Sequence, residues 1–430
     1  MRLRGFLAAS CLGLAAHAKV IDFEADAGGV PDDSSLTTAW LNGGLLNSTF
    51  AALQPGDELV LPNKTFHVMG GIVANDLVDN VIRFEGTIVY DDTMKQWPRL
   101  PTGRVLACLQ FSRCANLTLT SSGKALFNGQ GKTWWGLPGI GYLARGEDRP
   151  RLLDIEASTT TLVENLYLQN SPYWTFWWHG GDGLEVRNVD ISARRDDKDD
   201  HGVIEETAFN TDGFDVAGKN VWIHDCTVWN QDDTVCAKDG SENMLFERIE
   251  ASGVGLTIGS IGGSTNRNIT FRDIHMHRPV KGIYMKFRGN GLVEDVTFEN
   301  IVIDEPEQTA IWIGPAQQSD SDNVCAAHPC SLCWPLVPGS KCNLPDGGQY
   351  RNITLRNVTV NSPKKPDSYI MANASVPMDG VRFIDVVVNN PGTKKGKNFY
   401  THCEGVSRGV ATGKTSPVPP CFTDMTDKEE

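Results

Sequence analysis

The sequence predicts an all-β chain built as a parallel β-helix, a solenoid of stacked coils with a short helix over its N-terminal end. Three observations predict it. An apolar-x-apolar-x-x-apolar-x-apolar unit recurs from residue 161 onward, at steps of 23 to 28 residues with two longer ones of 37 and 57. The alternation within a unit is a strand signal and the two-residue break is a bend between sheets; a period in this range marks coils that cannot bury their apolar faces alone. The 43 glycines and 22 prolines exceed what a helical protein carries, while 40% hydrophobic residues suffice for a core. Leucine-rich and WD40 arrays do not fit, because neither a regular Leu/Asn consensus nor Gly-His…Trp-Asp marks is present.

Taken in order, residues 1–18 read as a secretory signal. Arg2 and Arg4 precede an apolar run over 6–16, and Ala16-His17-Ala18 offers small residues for cleavage. The run is too short to span a bilayer and no later apolar stretch approaches twenty residues, so no membrane contact is expected. The span 36–50 is the helix candidate; placed on the open end of a solenoid it would cover unpaired strand edges. Short β runs separated by Gly and Asn fill 57–130. The repeat then appears as Leu184/Val186/Val189/Ile191, Val221/Ile223/Cys226/Val228, Met244/Phe246/Ile249/Ala251, Ile269/Phe271/Ile274/Met276 and Val296/Phe298/Ile301/Ile303. Two late copies are Ile353/Leu355/Val358/Val360 and Val381/Phe383/Val386/Val388. A charged segment over 194–206, with an exposed acidic tip at Asp196, Asp197, Asp199 and Asp200, lengthens one step. A Cys/Pro-rich insert over 317–346 lengthens the other. No linker divides 19–430, which is expected to be one domain and a monomer.

The net charge of −14 argues against nucleic acid, which needs clustered Lys and Arg. An acidic polymer would need a local basic patch. Seven Asn-x-Ser/Thr sites, at Asn47, Asn63, Asn116, Asn268, Asn352, Asn357 and Asn373, agree with export. So do ten cysteines beyond Cys11. Cys325, Cys330, Cys333 and Cys342 have the look of a zinc site, but in a secreted chain two disulfides are the expectation. Cys403 with Cys421 and Cys108 with Cys114 are further expected pairs; Cys226 and Cys236 either pair or remain buried thiols.

The span 209–286 concentrates the chemistry. Asp212, Asp233 and Val254 fall at equal steps of 21 residues, and side chains one coil apart sit roughly 4.8 Å from each other. Asn210-Thr211-Asp212-Gly213 and Gln231-Asp232-Asp233 are each ordinary turn chemistry if read alone. One coil apart and flanked by strands, they would set Asp212, Asp232 and Asp233 on one groove wall. Carboxylates held so close cannot all ionise at neutral pH, so one keeps its proton as a general acid.

The chain resembles the polygalacturonase family of pectin-degrading glycoside hydrolases, family 28, through most of its length. Asn128-Gly129-Gln130-Gly131-Lys132-Thr133-Trp134-Trp135 is similar to that family's Gly-x-Gly-x-x-Trp-Trp segment, and Asn170-Ser171-Pro172 to its Asn-Ser-Pro segment. Asn210-Thr211-Asp212, Gln231-Asp232-Asp233 and the span 255–262 (Gly-Leu-Thr-Ile-Gly-Ser-Ile-Gly) match in order and spacing. The resemblance implies a right-handed solenoid that needs no cofactor, with Asp232 as general acid and Asp212 with Asp233 activating water. It also implies inversion at the anomeric carbon, for which acid and base are expected roughly 6.5–9.5 Å apart. The sequence departs from the family pattern at two places. Val254 replaces the histidine of Gly-His-Gly, and Tyr284-Met285-Lys286 replaces Arg-Ile-Lys, removing a bidentate carboxylate fork. Rhamnogalacturonan-cleaving members resemble this chain in lacking the histidine, so the polymer stays open within pectin-type acidic glycans. Asn210, Lys286, Tyr284 and Arg288 are the candidate substrate contacts, with Tyr284 offering a ring for sugar stacking.

Trp174, Trp177 and Trp178 either line a sugar groove or fill the core, with core expected for at least one. His275 and His277 alternate along a strand beside Asp273; solvated side chains are the reading adopted over a divalent-metal pair, so no metal is expected. Two other function classes compete with hydrolysis: a carbohydrate-binding solenoid of the wall or matrix without catalysis, and a polysaccharide lyase on the same architecture.

Overall fold

The computed structural model describes residues 18–136, 148–194, 208–318, 323, 325–393 and 398–424. The signal over 1–18, apart from Ala18, and the acidic tip over 196–200 lie outside the described residues.

The chain is a right-handed parallel β-helix. Among the described residues, a 29-stranded parallel sheet system runs from Val20–Asp22 to Thr423–Asp424. Six of the seven repeat units found in the sequence are each one long bent strand, as in Phe214–Trp229, Glu242–Ser252, Thr265–His277 and Gly291–Asp304; the first is split between Phe176–Arg187 and Asp190–Ser192. Every apolar position of the seven copies points inward and is buried, Ile223, Phe246, Phe271 and Ile301 completely. Phe246, Phe271 and Phe298 stack one above another with centroids 4.8 and 4.7 Å apart, which is the spacing of the coils themselves.

The break within each unit has a backbone cause. The residue ahead of the third apolar position takes a left-handed conformation: Asn188, Asp225, Asp273, Asn300, Asn357 and Asp385 have φ between 50° and 56°. Asn and Asp tolerate this region better than other side chains, so a one-residue corner turns the strand without a loop. The amides of these corners form ladders along the solenoid, Asn300 to Asp273 at 2.8 Å and Asn357 to Asn300 at 2.8 Å. Three sequon asparagines, Asn268, Asn352 and Asn357, donate their side-chain amides within such ladders.

The expected helix forms over Leu36–Ala52, capped by the Ser35 hydroxyl accepting from Thr38 N at 3.2 Å. It buries Ala39, Asn42, Gly43, Leu46 and Phe50 on one face, against strands Thr65–Val68 and Ile72–Asn75. Asn42 is wholly buried and satisfied by Val30 and His67 backbone groups. Gly43 has no room for a side chain, because a Cβ would meet Met69 O at 2.6 Å.

The insert is stapled by two disulfides, Cys325–Cys333 and Cys330–Cys342, and Cys403 pairs with Cys421. The expected Cys108–Cys114 bridge does not form; both are buried thiols, as are Cys226 and Cys236. A four-residue strand, Leu109–Ser112, separates Cys108 from Cys114. It rises roughly 13 Å, well beyond the ~7 Å between Cα atoms that a disulfide can span.

Candidate active site

Pairing across successive coils sets one row of outward side chains: Asp154, Trp177, Asp215, Cys236, Thr257, Tyr284, Trp312 and Tyr369. Trp177, Tyr284, Trp312 and Tyr369 of this row line the cleft. Gly213 N bonds to Asp233 O at 2.8 Å and Phe214 pairs with Val235, so Asp212 and Asp233 are coil neighbours as their 21-residue spacing requires. The equal spacing fails at the next coil. A bulge between Asp233 and Val235 pairs Asp233 with Gly255, and Val254 N bonds to Asp232 O instead. Val254 is therefore opposite Asp232.

Consecutive residues of a straight strand point to opposite faces. Asp232 and Asp233 escape this because the strand begins only at Asp233. Asp232 folds back so that its Oδ1 accepts from Asp233 N at 2.8 Å, and its Oδ2 accepts from Asn210 N at 3.1 Å and Asn210 Nδ2 at 3.3 Å. Asp212, Asp232 and Asp233 each bring a carboxylate oxygen within 4.8 Å of the other two. That is tighter than the gap expected between acid and base.

Two lysines hold this cluster. Lys286 Nζ lies 2.8 and 3.0 Å from the two oxygens of Asp233. Lys238 Nζ lies 3.0 Å from Asp215, 3.3 Å from Asp212 and 3.4 Å from Asp233. Thr257 Oγ1 donates to Asp233 at 3.0 Å. Lys238, Asp215 and Thr257 are site residues that sequence reasoning missed. Asp215 follows Asp212 at i+3 and Lys238 follows Asp233 at i+5, offsets that signal nothing until the coil path is known.

The electrostatics divide the carboxyls. Burial pushes Asp233 up, but the Lys286 and Lys238 ammoniums and the bonds from Lys286 and Thr257 outweigh it and bring its pKa down to about 2. Asp232 is pushed up to about 7, by burial first and then by the Asp212 and Asp233 charges. Burial and Asp215 also raise Asp212 well above the usual carboxylate range. Asp215 rises to about 6, burial again prevailing over the Lys238 charge. The site thus holds one secure anion, Asp233, beside carboxyls whose proton affinity is raised.

The cleft has two lobes. One, about 320 Å³, is lined by Trp174, Trp177, Asn210, Asp212, Lys238 and Arg288 among others. The other, about 280 Å³, is lined by Val254, Lys281, Tyr284, Trp312, Trp334 and Lys365 among others. Asp232 and Lys286 line both and mark where the lobes meet. Leu332, Trp334, Pro335 and Leu336 of the insert wall the second lobe.

The remaining candidates divide. Trp178 is core, whereas Trp174 and Trp177 face the cleft. Asn210 supports Asp232 and accepts from Arg149 Nη2 at 3.0 Å. Arg288 is exposed at the first lobe. Lys286 lines both lobes and sets its ammonium on Asp233. Tyr284 is 3% exposed, with Lys281 and Lys286 ammoniums 4.3 and 4.6 Å from its ring centre, so it does not present the open face that sugar stacking needs. The Gly131 and Ser171 segments are structural partners of the site's flank: Trp135 Nε1 donates to Ser171 O at 2.9 Å, and a Cβ on Gly131 would meet Asn170 O at 2.6 Å.

Comparison with known proteins identifies the family and the fold. The family described as Glycosyl hydrolases family 28 matches residues 59–331. The chain is 31% identical over 206 residues to a probable endopolygalacturonase C of Aspergillus aculeatus, covering 46% of this chain and 51% of that protein. It is 31% identical over 294 residues to a probable rhamnogalacturonase E of Aspergillus niger, covering 65% and 58%. These matches span about half the length of the curated relatives. A family 28 exopolygalacturonase structure from Yersinia enterocolitica superposes with a TM-score of 0.66 at 14% identity, covering 94% of this chain and 80% of that one, a likeness of fold.

Proposed function

The chain belongs to glycosyl hydrolase family 28, and we propose that it is a secreted enzyme that hydrolyses α-glycosidic bonds of a pectin-type acidic polysaccharide. One observation carries the reading: Asp232, a carboxyl raised to about 7, stands where two sugar-sized lobes meet, beside Asp233, held ionised. The glycosidic oxygen would lie at that junction. Asp232 would deliver its proton to the leaving oxygen while Asp233, the ionised member, deprotonates a water that Asp212 helps to orient. Lys286 keeps Asp233 anionic, Asn210 aims Asp232, and Tyr284 forms part of the lobe wall. Arg288 supplies the cation for an acidic sugar, since both lysines at the centre are already paired with aspartates. The replacement of a cationic fork by Tyr284 favours a polymer such as a rhamnogalacturonan over uniform polygalacturonate.

The test is reducing-end release from homogalacturonan and rhamnogalacturonan, with the anomer of the first product read by NMR. Inversion is expected. A first product that retains configuration would assign Asp233 or Asp212 as a nucleophile, which the short carboxylate separation also suits. Specific glycan binding without release of new ends from any pectin-type polymer would support the non-catalytic carbohydrate-binding reading instead.

A further inference from the structure

We propose that Glu250, His275 and His277 form a binding site for a zinc-class divalent cation on the outer wall of the solenoid, away from the cleft. None of the three lines either lobe. The row geometry creates the cluster: Glu250 pairs with His275 on the next coil, and His277 lies two residues on, along the same outward face. Ile274 and Met276, which flank His275, point inward and are buried, which fixes both imidazoles outward.

The three residues each offer a ligand atom within 4.8 Å of the others. Glu250 Oε2 lies 2.5 Å from His277 Nε2 and 3.6 Å from His275 Nδ1. A cation with bonds of roughly 2.0–2.2 Å to nitrogen and oxygen needs only small rotamer changes to sit among them. The second ring nitrogen of His275 is already engaged: Nε2 lies 2.7 Å from Asp304 Oδ2, on the following coil. That carboxylate is itself oriented by Asn361 Nδ2, 2.7 Å from Oδ1. A carboxylate behind the imidazole fixes the tautomer that presents a bare Nδ1 to a metal, and raises its basicity. Trp229 lies against the His277 ring at 5.7 Å and restricts its rotation.

Two imidazoles and one carboxylate select a borderline cation such as Zn²⁺ over Ca²⁺ or Mg²⁺, which take oxygen donors. Three protein ligands leave a fourth position for water. Because Glu250 and the two histidines belong to adjacent coils, with Asp304 backing His275 from the next, a bound cation would clip two coils together directly and stabilise the stack by mass action.

Calorimetric titration of the EDTA-stripped full chain with ZnCl₂, beside CaCl₂ and MgCl₂ controls, tests the site. One saturable Zn²⁺ per chain is expected, with a rise in thermal midpoint that Ca²⁺ and Mg²⁺ do not reproduce. Asp304→Asn should weaken binding roughly 10- to 100-fold, as loss of a supporting carboxylate does. The double variant His275→Ala/His277→Ala should abolish both binding and the thermal shift while its circular dichroism and hydrolytic rate stay those of the parent. Absence of saturable Zn²⁺ binding, or unchanged binding in a folded double variant, would overturn the assignment.

Discussion

Lys286 Nζ bridges both carboxylate oxygens of Asp233, at 3.0 and 2.8 Å, from two coils further along the solenoid. The pair is buried, Asp233 to 1% exposure. A charge left alone there is costly, by about 3–5 kcal/mol when one partner is removed. Lys286→Met should therefore lower the thermal midpoint and reduce kcat by roughly 100-fold, with a much smaller change in KM. If KM rises on acidic polymers while kcat is kept, Lys286 binds the sugar carboxylate after all and its contact with Asp233 is incidental.

Asp232→Asn removes the proton donor and leaves the shape. Activity should fall roughly 10²- to 10⁴-fold, with unchanged circular dichroism. A variant retaining full turnover on the parent's polymer would eliminate Asp232 as the acid.

The rate should decline as pH rises through about 7, where Asp232 loses its proton. Stability follows the same group. Its folded pKa lies above the unfolded value near 3.9, so the folded state holds an extra proton between them and stability falls as pH rises from about 4 to 7. Asp232→Asn should cancel that loss and melt above the parent at pH 8, on the order of 2 °C. Asp233 works in the opposite sense: its lowered pKa adds stability present above about 4 and lost as pH falls toward 2. Melting curves of parent and variant from pH 3 to 8 should converge at the acid end.

Trp334 reaches the second lobe from the insert that Cys325–Cys333 and Cys330–Cys342 staple. It packs against Tyr369 at 5.3 Å and edge-on to Trp312 at 6.0 Å. Trp334→Ala should raise KM roughly 2- to 10-fold, the worth of one aromatic contact, with kcat little altered. Steady-state kinetics on oligomers long enough to fill both lobes would show it, and an unchanged KM would remove the insert from the binding surface.

Much of this molecule is written in local pattern. The seven apolar units, the Asn and Asp corners and the helix beginning at Leu36 depend on neighbours within a coil or a turn, so alternation and turn chemistry reveal them directly. Asp212, Asp232 and Asp233 were legible for the same reason, as turn-like motifs one coil apart. What the coils bring together from a distance was not. Lys238 reaching three aspartates, Lys286 pairing with Asp233, Tyr284 buried by its neighbours and Glu250 meeting two histidines all follow from lateral register. That register includes a bulge after Asp233, which moves Val254 from Asp233 to Asp232. A single-residue shift of this kind leaves the apolar period intact but changes which side chains touch, and it is contact distance that decides which carboxyl keeps its proton.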